Sequence, residues 1–281
     1  MDYPCFGVLG GDLRQQMLYN SLKEDGYSAK IFGTDDSSFD LDSFLKDIDI
    51  LILPLPVSAD DQTVFAPFYT GFIYLSEIFE KFSGRAIFGG KINSNILKLS
   101  KISKAKIFDY YGNEEMTLKN VVPTVEGALM IAINNTDFTL HNSNCFVLGH
   151  GRISKYLTNV LKALGADVTV FARKSKDIAM CQILGYKTAF GKNELYQKIG
   201  NADIIFNTVP SVILNSEILK KVKKDCLIID LASGVGGVDF KSAKSLGIHA
   251  IHALSLPGKV APKTAGKIIK DTVISISKEV L

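Results

Sequence analysis

Residues 145–173, CFVLGHGRISKYLTNVLKALGADVTVFAR, decide the fold. The apolar run 145–148 fits a buried strand. Gly149-His150-Gly151 turns the chain, and Ile153, Tyr156, Leu157, Val160, Leu161 and Leu164 then recur at helical spacing until Gly165 stops the helix. A β-branched strand follows at 168–171. Strand, glycine turn, helix and strand make the first β-α-β unit of a dinucleotide-binding fold. Its glycines let the backbone approach a pyrophosphate, which rests on the N–H groups of the helix N-terminus. Gly149, Gly151, Arg152 and Ile153 are thus the first cofactor-binding candidates. Ser154 stands at the third fingerprint position instead of glycine, so helix–strand packing must tolerate a larger residue there.

The end of the second strand selects the cofactor. It carries no acid and continues as Arg173-Lys174-Ser175. An acidic side chain would hold the 2′-hydroxyl of NAD, whereas Arg accommodates the 2′-phosphate of NADP. NADP is expected. NAD is the alternative if Arg173 and Lys174 are only solvated loop charges.

The chain has 281 residues, which suggests two domains, and 47% hydrophobic with 22% charged residues is an ordinary globular composition. A net charge of +3 with dispersed basic residues argues against a nucleic-acid partner. Cys5, Cys145, Cys181 and Cys226 are far apart and show no metal spacing, so no metal is expected and they read as reduced, buried cysteines of a cytoplasmic protein. None has an obvious His partner nearby in sequence, which argues against a cysteine nucleophile. The chain starts straight into a strand, with no basic-plus-apolar leader and no apolar run of membrane-spanning length, so no membrane partner is expected.

Upstream, a strand at 6–10 runs into Gly10-Gly11-Asp12-Leu13-Arg14-Gln15 and a helix, a second anion-ready helix N-terminus. Arg14 either points at a ligand above Gly11 or is solvated. The apolar strand 48–53 ends in Pro54-Leu55-Pro56-Val57-Ser58, a carboxyl-edge loop of the kind where open sheets place ligands. Residues 35–42 read as a loop and 60–70 as a mobile one. The first 110 residues alternate β and α about five times and make a sheet of their own. After a polar stretch at 113–119, Val125, Ala128, Leu129 and Ala132 mark a helix with one apolar face. Thr124 and Glu126 in its first turn either face a cleft or serve as cap and dipole partner.

Downstream, the strands 204–206, 227–230 and 249–252 exit into Asn207-Thr208-Val209-Pro210, Leu231-Ala232-Ser233-Gly234 and the turn-rich stretch 254–264. The first exit would pass the nicotinamide-side ribose. His252 is placed for acid–base work or is simply a strand-end residue. His150 points to solvent or to a phosphate. Arg14, Lys91, Lys259 and Lys263 would together suit a dicarboxylate. The expected fold is therefore α/β: two Rossmann-like, doubly wound parallel-sheet domains joined by a long helix, with a C-terminal helix packing back. The expected bounds are 1–120, a link at 121–136, a cofactor domain at 137–265 and the returning helix at 266–281.

Several of these segments carry a resemblance, in matching order and spacing. They are Gly10–Gln15, Val122-Pro123-Thr124-Val125-Glu126-Gly127, Val147–Arg152, Phe206–Ser211, Asp230–Ser233, Gly236–Phe240 and Leu256–Gly266. The chain resembles the A subunits of dipicolinate synthase, the enzyme of spore-forming bacteria that makes pyridine-2,6-dicarboxylate. The resemblance implies a nicotinamide cofactor, NADP being expected, and a partner, the flavodoxin-like, FMN-binding B subunit. It also implies oxidation of a dihydrodipicolinate-type substrate in the mother-cell cytoplasm during sporulation. A homo-oligomer is compatible with it. On this reading the substrate set is Gly11, Asp12, Arg14, Gln15, Ser58, Thr124 and Lys263, with Glu126 and then His252 as proton acceptor. Arg173, Lys174, Ser175, Asn207, Thr208, Val209, Pro210, Leu231, Ala232, Pro257 and Gly258 complete the cofactor set. Two alternatives are another NADP-dependent 2-hydroxy- or keto-acid reductase, which a histidine with a carboxylate partner would favour, and a non-catalytic cofactor-binding protein.

Overall fold

All four residues of Phe6–Leu9 (β1) are buried, the mark of a parallel strand covered on both faces. The computed structural model describes residues 4–34 and 40–280. The chain divides into two compact units, 1–120 with 257–281 and 121–256; the expected bounds put the second division at 265/266.

In the first unit β1 is followed by α1 (Leu13–Glu24), β2 (Ala29–Phe32), α2 (Leu41–Leu45), β3 (Ile50–Ile52), α3 (Leu75–Lys81), β4 (Ala86–Gly89), α4 (Ser94–Ser103), β5 (Lys106–Asp109) and α5 (Glu114–Lys119). The strands are parallel, in the order β2-β1-β3-β4-β5. This is the flavodoxin-like order, with its reversal between β1 and β3. Side-chain alternation divides the core. Phe6 and Val8 pack with Leu18 and Leu22 of α1, while Leu9 and Leu51 pack with Phe44, Ile78 and Phe79 on the other face.

The second unit runs α6 (Val121–Asn134), β6 (Asn144–Leu148), α7 (Arg152–Ala163), β7 (Asp167–Ala172), α8 (Ser175–Ile183), β8 (Lys187–Phe190), α9 (Gly191–Lys198), β9 (Ile204–Asn207), α10 (Ser216–Leu219), β10 (Leu227–Asp230), α11 (Phe240–Ser245) and β11 (His249–His252). Its parallel sheet has the order β11-β10-β9-β6-β7-β8. That is the doubly wound dinucleotide order, reversing between β6 and β9. Cys145 and Val147 face the α6–α7 side, and Phe146 and Leu148 the α9–α11 side.

The chain then returns to the first unit through α12 (Leu256–Val260) and α13 (Pro262–Val280). Ile268, Ile269 and Val273 of α13 join Leu18 and Leu22 in one core. Lys270 is buried between Asp25 and Asp271. Burial disfavours its charge, but the two carboxylates outweigh this and hold its pKa above the usual lysine value.

The stretch 113–119, read only as polar from the sequence, is helical over Glu114–Lys119, because Asn113 caps the Met116 N–H and Glu114 and Glu115 sit at the positive helix end. Four local expectations need correction. The stretch 254–264 is two short-linked helices; Pro262 opens α13, where a missing N–H costs nothing. The segment 60–70 is tied down. Asp60 accepts from the N–H groups of Thr63 and Gln62 and from the hydroxyls of Thr63 and Ser58, bonds that hold its carboxyl well below the usual range. Thr63 and Tyr74 form an antiparallel bridge beyond it. The helical stretch Glu114–Asn134 does reach membrane-spanning length, but Val121, Val125, Ala128 and Ala132 of its second half lie in the core of the second unit. Cys5 is only half-buried, unlike the other three cysteines. Most of the expected loop at 35–42 lies outside the described residues.

Candidate functional site

The two glycine turns have opposite chemistry. In the second unit α7 begins at Gly151, an extended N-cap with no side-chain cap and no acid in the first turn. The N–H groups of Ile153 and Ser154 and the positive helix end are thus left for an anion. Gly149 has φ +107, and a Cβ there would lie 2.5 Å from Thr208 Oγ1 and 3.2 Å from Val209 Cγ2. A Cβ at Gly151 would meet nothing within 4 Å. The turn is therefore tight against the exit of β9 and open on its other side, which fits a pyrophosphate. Ser154 is buried and its hydroxyl donates to the Gly151 carbonyl at 3.1 Å, so the larger third residue bonds back to the turn. Arg152 is exposed and Ile153 half-buried in the first turn of α7. Arg173, Lys174 and Ser175 are exposed at the carboxyl end of β7, and Lys174 starts α8 without a side-chain cap.

The exits of β9 and β10 are joined by Asp230, a residue absent from the expected set. It is fully buried. Its Oδ1 accepts from Asn207 Nδ2 at 2.8 Å and from the Ala232 N–H at 3.1 Å, and its Oδ2 accepts from the Gly237 N–H at 2.7 Å. Asn207 also donates to the Val209 carbonyl at 3.0 Å and accepts from the Val209 N–H at 3.1 Å. Thr208 Oγ1 donates to the Leu148 carbonyl at 2.9 Å, and Pro210 is exposed. Leu231 and Ala232 are buried; the Leu231 N–H donates to the Asn207 carbonyl, and the Ala232 N–H and carbonyl are taken by Asp230 and His252. His252 lies with Nε2 3.1 Å from the Ala232 carbonyl and its ring against Phe240. This commits Nε2 and leaves Nδ1 for other work. Thr124 is half-buried and Glu126 exposed in α6.

In the first unit the Gly10–Gly11 turn is not open to an anion, contrary to expectation. The Gly11 N–H donates to the Phe65 carbonyl at 2.6 Å. The Asp12 carboxylate occupies the helix end instead, accepting from the Arg14 N–H at 3.1 Å, from Nε at 2.8 Å and from Nη2 at 2.8 Å. Nη2 also donates to the Leu55 carbonyl at 2.6 Å, and Arg14 is buried. These partners leave over the two N–H groups of Nη1. Gln15 is buried, and its Nε2 shares the Leu53 carbonyl with the Tyr110 hydroxyl, at 3.2 and 3.0 Å. A Cβ at Gly258 would lie 2.9 Å from Arg14 Nε and 3.1 Å from Asp12 Oδ2. Pro257 and Gly258, expected with the cofactor, thus belong to the unit of the Asp12–Arg14 pair. Ser58 is engaged with Asp60, and Lys263 is exposed in the first turn of α13.

Asn207, Thr208, Val209 and Gly149 are brought together as expected neighbours of one turn. The missed Asp230 had one local signal, an acid closing the apolar strand LIID. Among the described residues there is no cluster of three or more potential metal ligands.

Comparison with known proteins adds the family. Residues 5–111 match the N-terminal domain of the dipicolinate synthase A subunit, and residues 130–240 match the NAD binding domain of D-isomer specific 2-hydroxyacid dehydrogenases. The crystal structure of the dipicolinate synthase A subunit from Bacillus halodurans superposes with TM-score 0.88 at 30% identity, covering 98% of both chains. That of its counterpart from Bacillus subtilis gives 0.87 at 33% identity, covering 99% of this chain and 97% of the other. A transhydrogenase from Sinorhizobium meliloti, at 12% identity and TM-score 0.70, covers 99% of this chain and 93% of its own and shares the fold. The dipicolinate synthase A subunit of Bacillus subtilis (strain 168) is 34% identical over 97% of this chain and 95% of its own length. The chain carries a nicotinamide-dinucleotide domain beside a family-specific one, and it belongs to the family of dipicolinate synthase A subunits, which are NAD(P)-dependent oxidoreductases.

Proposed function

We propose that this chain is the dehydrogenase subunit that oxidises a dihydrodipicolinate-type intermediate to pyridine-2,6-dicarboxylate with NADP. It works with a flavodoxin-like B subunit in the mother-cell cytoplasm during sporulation. The observation that carries the reading is the buried Arg14, fixed by Asp12 and the Leu55 carbonyl with Nη1 left over. A held, planar guanidinium is suited to a carboxylate. The substrate loses a hydride and a proton and becomes aromatic; the nicotinamide, when bound, takes the hydride. Arg14 fixes the ring through one carboxylate. Glu126, exposed in α6, accepts the proton. Thr124 and Lys263 assist in orienting the substrate. The reductase alternative has less support, since His252 is bonded to a backbone carbonyl and not to a carboxylate.

Glu126→Gln should lower turnover about a hundredfold and leave NADPH affinity unchanged, as read by steady-state kinetics beside a fluorescence titration. Unchanged turnover removes Glu126 from the role. The cofactor preference is tested by Arg173→Ala, which should weaken NADPH binding about tenfold by loss of a charge-assisted hydrogen bond at an exposed site. NADH affinity should stay within about twofold. Equal losses for both cofactors contradict the 2′-phosphate assignment.

A further inference from the structure

His150, the middle residue of the nucleotide turn, takes no part in the proposed reaction. Its ring folds onto α8, where Nδ1 lies 3.4 Å from Cys181 Sγ, 31 residues along the chain. Cys181 is fully buried, and burial raises its pKa, so it is a protonated thiol at neutral pH. Its S–H can donate to Nδ1, which puts the imidazole proton on Nε2. The turn leaves β6, and α8 follows β7, its paired neighbour. His150 immediately precedes Gly151, the open N-cap of α7, and its ring lies against α8, the helix whose uncapped start follows Arg173.

We infer that His150 donates from Nε2 to a phosphate oxygen of the bound dinucleotide, and that Cys181 is the positioning residue that sets its tautomer. The inference rests on the dinucleotide reading of the second unit. A lone pair on Nε2 would repel a phosphate oxygen, so the tautomer matters. The titratable groups facing the ring are Cys181 and Asp177 from α8 and Lys155 from α7. Burial, and then Lys155, hold the imidazole below its usual pKa, so it is neutral in the ligand-free protein at pH 7. A phosphate at Nε2 favours the imidazolium and raises that pKa. Binding then takes up a proton, and affinity grows as pH falls through the pKa of the bound state and levels off below that of the ligand-free state.

The test is fluorescence titration of NADPH and NADH with wild type, His150→Phe, His150→Gln and Cys181→Ala, at about pH 6 and about pH 8. His150→Phe should lose about tenfold in affinity. His150→Gln, whose amide N–H can take the place of Nε2–H, should recover most of it. Wild-type affinity should be several-fold higher at the lower pH, and that of His150→Gln should not change. Equal losses for both cofactors identify the pyrophosphate, and a loss for NADPH alone identifies the 2′-phosphate. Imidazole nitrogen-15 shifts of the ligand-free protein should report the Nε2–H tautomer, lost in Cys181→Ala and restored in Cys181→Ser. Full affinity and unchanged pH dependence in both His150 variants overturn the contact. Unchanged nitrogen shifts in Cys181→Ala overturn the positioning role. Wild type that binds neither cofactor refutes the dinucleotide reading itself.

Discussion

Asp230→Ala is expected to destabilise the second unit by about 3–5 kcal/mol, a fall of roughly 10 °C in its melting temperature. The carboxylate is fully buried and is the shared acceptor for Asn207 Nδ2 and the Ala232 and Gly237 N–H groups. Removing it strands three donors in a site closed to water, and each costs its desolvation. A Cβ at Gly236 would meet Asp230 Oδ2 at 2.3 Å, which shows how close the backbone is drawn to this carboxylate. The exits of β9 and β10 lose their common anchor, so NADPH affinity should fall with stability. Asp230→Asn keeps one acceptor but turns an N–H towards another N–H, and should be intermediate. Calorimetry and cofactor titration check this; a melting temperature within about 2 °C of wild type contradicts it.

Arg14→Met should abolish turnover, by about a thousandfold or more, while NADPH affinity stays unchanged. The guanidinium is buried and fills a site lined by Asp12, the Leu55 carbonyl and the Gly258 backbone. Its loss leaves the Asp12 carboxylate as an uncompensated charge at the place where a substrate carboxylate is expected to bind. Breaking such a pair costs about 2–3 kcal/mol after discounting for the 23% exposure of Asp12. Arg14→Lys preserves charge but not the fork. One ammonium cannot serve both Asp12 oxygens, the Leu55 carbonyl and a ligand, so KM should rise more than kcat falls. Steady-state kinetics with a melting curve separate the two effects. Loss of NADPH binding in Arg14→Met would place Arg14 in the cofactor's service instead.

The readable parts of the chain are those whose chemistry is local. The apolar run 145–148, its glycines and the 3.6-residue spacing of α7 lie within one segment, and they specify the β-α-β unit. The expected anion site at Gly10–Gly11 fails because its controlling facts are distant or dual. The partner of the Gly11 N–H is Phe65, and Asp12 serves both as helix cap and as the ion partner of Arg14. The stretch 254–264 misleads for another reason. Proline and glycine mark turns but also open helices, and Pro262 does the latter. Asp230 and Cys181 act through neighbours brought in by sheet order, from 23 and 31 residues away, and no spacing rule reaches them.

The proposed reaction couples the nicotinamide to the making of an aromatic dicarboxylate. Its most direct measurement supplies the purified chain, with and without the B subunit, with NADP and a dihydrodipicolinate-type substrate. NADPH and pyridine-2,6-dicarboxylate are then quantified together by chromatography. The predicted result is equal amounts of the two products from a mixture containing this chain, and neither from the same mixture with Arg14→Met. Pyridine-2,6-dicarboxylate formed with no NADPH, or no product from any mixture, contradicts it.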